Sequence, residues 1–146
     1  MHPFTRVAAA CLAISSAAFA AAALAQQSAN DIASLKEHAG SYAVDCTRPD
    51  RTRLVVAPQA ISVVHGKKRV DARKPLFAHS YWGRSPPPNA GGAMIGEPAR
   101  KGAPGLTFTA WTDKRGVYLQ VDADKPLQAV FGKPALAGKF RRCPAG

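Results

Sequence analysis

The chain is predicted to be mainly β: a small antiparallel barrel or sandwich with one short N-terminal helix, closed by a disulfide. Three observations predict this. From Ser41 onward apolar and polar residues alternate with a period of two, as they do on a half-buried strand. Turn signals separate these runs at short intervals. Two cysteines, Cys46 and Cys143, fall at the ends of the first and last runs, so a bond between them would bring the terminal strands together and remove their open edges.

The first 25 residues stand apart. Arg6 is followed by an alanine-rich apolar run from Val7 to Ala25, ending in Ala23-Leu24-Ala25 before Gln26-Gln27. A basic start, an apolar middle and small residues at the cleavage point are the layout of a secretory signal. No twin arginine precedes the run, so general secretion is the expected route, with delivery to the periplasm or the exterior. Removing residues 1–25 leaves a single domain, 26–146, with no expected membrane segment and a formal charge of +10 after the loss of Arg6. Its two cysteines are an even pair in an exported chain, which reads as a disulfide.

Within the domain, Ser28 to Ala39 carries the one helical pattern, with Ile32, Leu35 and Ala39 on a single face and Gly40 as its stop. Tyr42 and Val44 begin the alternation, and Thr47 to Asp50 turns the chain. Arg53 to Ala57 and Ala60 to His65 are β-branched runs hinged at Pro58-Gln59, followed by a turn at His65-Gly66-Lys67 and a run from Lys68 to Arg73. Pro75 is read as opening a separate run through Phe77 and His79 to Trp82. Leu106, Phe108 and Ala110 alternate on the next strand, a loop spans Thr112 to Gly116, and Val117, Leu119 and Val121 alternate on its partner. Lys139 to Cys143 is the last strand, and Lys125-Pro126 reads as a turn. Gly83 to Gly105 breaks the rhythm with Pro86-Pro87-Pro88, Gly91-Gly92, Pro98 and Pro104. It is expected to be a long Gly/Pro-rich loop, with Met94 and Ile95 as apolar points that can pin it to the body.

Catalytic and metal chemistry finds little to work with. His38, His65 and His79 are isolated from any second ligand at metal-binding spacing. There is no Gly-x-Ser-x-Gly elbow, no phosphate-binding glycine loop and no Cys-x-x-Cys pair. No catalytic residue, metal or cofactor is therefore expected, and the chain reads as a non-enzyme.

Charge is the informative property. Eleven basic residues lie between Arg48 and Lys101 against Asp50, Asp71 and Glu97. Lys67, Lys68, Arg69, Arg73 and Lys74 are the densest run and the candidate anion-binding residues. The competing role for the run is a charged edge strand that discourages pairing with other chains. Trp82, Trp111 and Tyr118 are candidate stacking residues for such a surface, or large side chains that fill the core. The expected partner is a polyanion: an acidic glycan, lipopolysaccharide phosphate or nucleic acid. A protein partner of an interaction or inhibitor module is the alternative, and a structural or antigenic surface protein a third. Mass spectrometry of the exported protein is expected to find Gln26 as the first residue; a mature chain that keeps Val7–Ala25 would contradict the signal-peptide reading.

Overall fold

The computed structural model describes residues 29–79 and 85–145, so the signal segment and Trp82 lie outside the described residues. The period-two runs become strands with apolar side chains on the inner face and polar ones outside, the pattern a sheet needs to bury one surface. Among the described residues these are β1 (Gly40–Ala43), β2 (Arg53–Ala57), β3 (Ala60–His65), β4 (Lys68–Ala78), β5 (Ala90–Pro98), β6 (Leu106–Asp113), β7 (Gly116–Val121) and β8 (Phe140–Arg142). Each pairs antiparallel with its neighbour in sequence, and β8 returns to β1 through Tyr42↔Arg142 and Ala43↔Arg141. The sheet is a closed eight-stranded barrel rather than a sandwich.

Among the described residues three helices accompany it: α1 (residues 29–37), α2 (Lys125–Phe131) and α3 (Lys133–Leu136). On α1, Leu35 is fully buried, whereas Ile32 is exposed, so the buried stripe is narrower than the sequence pattern. The Asp31 carboxylate accepts from the Phe77 backbone N–H at 3.2 Å, and the Tyr42 hydroxyl donates to the His38 carbonyl at 2.8 Å. These contacts dock α1 over the end of the barrel where β1 begins and β4 finishes. α2 and α3 lie in the β7–β8 connection at the opposite end and insert Leu127, Phe131 and Leu136 into the same core. The predicted turn at Lys125-Pro126 is therefore the first turn of a helix. Asp124 is its N-cap, accepting from the Leu127 N–H at 2.8 Å, and the Gly132 N–H donates back to the Gln128 carbonyl at 2.7 Å.

Two strands differ from expectation. β4 does not stop at Arg73; it runs through Pro75 by means of a register shift between Arg73 and Leu76. Lys74 takes φ 49° there, and its N–H donates to the Gln59 carbonyl at 3.2 Å. A bulge is where a sheet tolerates a residue without an N–H, so Pro75 sits inside the strand instead of starting one.

The second correction is larger. Gly83–Gly105 is not one long loop, because its centre is the nine-residue strand β5, paired with both β4 and β6. Its inward positions are Gly92, Met94 and Gly96. A Cβ at Gly92 would stand 2.5 Å from Phe77 Cε1, and one at Gly96 would stand 2.7 Å from the Ala72 Cβ. The glycines that make this segment look unlike a strand are what let it pass close to Phe77 and Ala72.

The disulfide joins Cys46 to Cys143 with a Cα–Cα distance of 5.5 Å across 97 residues of sequence. A loop of that length corresponds to about 4–5 kcal/mol in the chain-entropy model. Such a bond fits a chain that matures in an oxidising, non-cytoplasmic compartment. No helix among the described residues is long and apolar enough to cross a membrane. The close packing at Gly96 gives a direct test: Gly96→Ala is expected to cost about 1–3 kcal/mol, because Ala72 has no flexible end to move aside. Chemical denaturation of the variant checks it, and a change below about 0.5 kcal/mol would mean β5 is less tightly held than described.

Candidate functional site

The candidate residues on β4 do not stay together. Val70 and Ala72 point inward and are buried, so Arg69, Asp71 and Arg73 share the outer face. Lys67 is exposed in the β3–β4 turn. Lys68, at the rim, donates from Nζ to the Val130 carbonyl of α2 at 2.8 Å. Arg69 Nε donates to Asp71 Oδ1 at 2.7 Å, and the Ser62 hydroxyl donates to the same oxygen at 2.6 Å. Partial burial pushes the Asp71 carboxyl upward, but the hydrogen bonds from Ser62 and Arg69 outweigh it and hold the group below its ordinary value. Arg73 is in register with Glu97, and Lys74 lies in the bulge, about 15 Å along the strand from Arg69.

What the fold adds is a second basic segment. The β5–β6 loop comes up at the same end of the barrel as the β3–β4 turn, which follows from the up-and-down order of the strands. It faces the start of β4 across a groove of about 680 Å³, lined by Arg69, Asp71, Arg100, Lys101, Pro104 and Val130. Arg100 and Lys101 form no ion pair among the described residues. Asp71 is the one acidic side chain on the lining, and Arg69 already neutralises it. Arg100 and Lys101 were visible in sequence only as part of the excess of positive charge. Their segment read as structureless, so nothing placed them opposite Arg69.

The aromatic candidates lie elsewhere. Trp111 and Tyr118 are register partners on β6 and β7, and Arg141 of β8 is the next residue in the row. The Tyr118 ring is occupied by the chain itself, with Lys139 Nζ 4.6 Å and Arg141 Cζ 5.4 Å from its centroid. Both cations also bind Asp113: Arg141 donates at 2.7 and 2.9 Å and Lys139 at 3.1 Å. The structure therefore makes Tyr118 part of a latch between β8 and the β6–β7 hairpin, away from the groove. Among the described residues no three His, Cys, Asp or Glu side chains converge as a metal site would require. Comparison with family models, with curated proteins and with solved structures returns no match.

The latch has a pH signature. Hydrogen bonds from Arg141, the Arg115 backbone N–H and Lys139 hold the Asp113 carboxyl well below the usual carboxylate range. A depressed folded-state value stabilises the fold above the unfolded value of about 3.9, and that contribution is lost as pH falls towards the folded value. Asp113→Asn is expected to melt below the parent at neutral pH, with the gap narrowing on acidification below about pH 4. Thermal melts across pH check this; a gap independent of pH would show that the charge on Asp113 does not contribute.

Proposed function

We propose that the chain is an exported, non-enzymatic binding module for an anionic envelope or extracellular ligand, working in the periplasm or outside the cell. The observation that carries this reading is that Arg69, Arg100 and Lys101 line one groove whose single carboxylate is already paired, with Lys67 in the β3–β4 turn at the same end of the barrel. Exposed cations this close repel one another, and a bound anion relieves the repulsion. The barrel interior is filled by side chains from the strands and all three helices, which favours a ligand held on the rim. Acidic glycans, lipopolysaccharide phosphates and nucleic acids share the repeated oxyanions such a groove would recognise. The disulfide and the signal-like start both suit export.

The test compares two sets of substitutions. Lys67→Gln, Arg100→Gln and Lys101→Gln together alter exposed side chains, so the fold is expected to change by no more than about 0.5 kcal/mol at each position. Titration calorimetry with heparin and single-stranded DNA over a salt series is expected to show weaker binding and a shallower salt dependence. For DNA, the loss of three phosphate contacts lowers the slope of log affinity against log salt by roughly 2. Arg73→Gln with Lys74→Gln, outside the groove, is expected to leave both nearly unchanged. Equal losses in the two sets would mean diffuse attraction to net charge, and no heparin binding by the parent would end the reading.

A further inference from the structure

A second concavity opens at the same mouth of the barrel, between the β1–β2 loop and α3, with a volume of about 310 Å³. Its floor is apolar, formed by Phe140, which is buried, and by Ala135 of α3. Its polar lining is Asp45, Arg48, Arg51, Thr52 and His65. We infer that this cavity binds a small organic carboxylate with an apolar body, through Arg51 and His65 and with Arg48 at its entrance.

The case rests on how these side chains are held. Thr52 is only 6 % exposed, and its hydroxyl meets His65 Nδ1 at 2.8 Å. That contact fixes the imidazole and leaves Nε2 as its remaining polar atom. When the Thr52 hydroxyl donates to Nδ1, the ring proton resides on Nε2, which then donates to an anion. Thr52 is thus a positioning residue. Arg51 makes no ion pair among the described residues. Arg48 pairs with Asp50 at 3.3 Å, but both side chains are more than half exposed, so the pair is weak and open to exchange.

Asp45 is the opposing charge on the lining. Its carboxylate is turned onto Thr47, accepting from the Thr47 hydroxyl at 2.7 Å and its backbone N–H at 3.0 Å. Those two bonds hold its carboxyl below the ordinary range, so it is ionised and engaged locally. Two arginines and an imidazole against one occupied carboxylate leave the cavity suited to an anion. A volume near the lower end for ligand pockets limits that anion to a small molecule, and the apolar floor asks for a hydrocarbon body. This site is separate from the polyanion groove, since neither Arg100 nor Lys101 lines it.

Titration of the full mature protein with benzoate and hexanoate, followed by amide chemical shifts, tests the proposal. Both probes are expected to give saturable shifts at Thr52, His65 and Ala135. Inorganic phosphate, which lacks the apolar body, and benzyl alcohol, which lacks the charge, are expected to bind at least about tenfold more weakly. Arg51→Gln is expected to weaken benzoate about fivefold or more while heparin binding persists, which separates this site from the groove. Ala135→Leu, which fills the floor and alters no charge, is expected to abolish the shifts. The proposal is overturned if no carboxylate probe gives saturable shifts at these residues. It is equally overturned if phosphate binds as well as benzoate, or if the shifts fall at Arg100 and Lys101 instead.

Discussion

Closure of the barrel depends on three residues. β8 is only Phe140–Arg142, yet it must satisfy the open edges of both β7 and β1. An unpaired edge exposes backbone groups that would otherwise recruit another chain, so this short strand has to be held firmly in place. The structure holds it in three ways. Phe140 is buried in the core, Arg141 grips Asp113 across Tyr118, and Cys143 is bonded to Cys46 immediately beyond the strand. Hydrophobic burial, charge-assisted hydrogen bonding and a covalent link act on adjacent residues, each compensating for the few ladder bonds that so short a strand can make.

Plugging the two ends has a functional consequence. α1 contributes Leu35 from one side, and α2 and α3 contribute Leu127, Phe131 and Leu136 from the other, so the interior forms one continuous apolar cluster. Under the proposed reading, a ligand is met at a rim, where loops of several strands come together. Both concavities lie at the end that carries the β1–β2, β3–β4, β5–β6 and β7–β8 connections. The opposite end is committed to docking α1, through Asp31, His38 and Tyr42.

The parts of this arrangement legible in sequence are those where a residue's chemistry and its local period agree. β2 and most of β6 alternate buried and less buried positions, β3 is a β-branched run, Val117, Leu119 and Val121 alternate along β7, and the cysteine pair announces closure. β5 was illegible because closeness to Phe77 and Ala72 selects glycine, and glycine otherwise signals a loop. Pro75 misled in the same way, since only the tertiary register shows that a bulge accommodates it. α2 was readable after all: Asp124, Pro126 and Gly132 are a cap, a first-turn proline and a stop, but the short apolar pattern between them is not conspicuous. Of the groove's cations, Arg69 could be read from the basic run. Arg100 and Lys101 follow from loop placement, and Tyr118 reads as a stacking surface until the cations covering it are located. The small cavity beside His65 depends on α3 and could not be found without it.

The pairing of β1 with β8 also sets the order in which the chain can finish folding. Strands β2 to β7 find their partners in the strands immediately before and after them, but β1 has one edge that waits for β8, about a hundred residues later. A chain emerging from its N-terminus, whether from a ribosome or a translocation channel, therefore carries an incomplete sheet until nearly all of it has been delivered. Long-range pairing of this kind is slow, because loop-closure entropy must be overcome before any contact offsets it. The brevity of β1, at four residues, limits what that waiting edge can template in the interval. Length of strand and time of exposure are in this sense matched: the edge left open longest is also among the shortest.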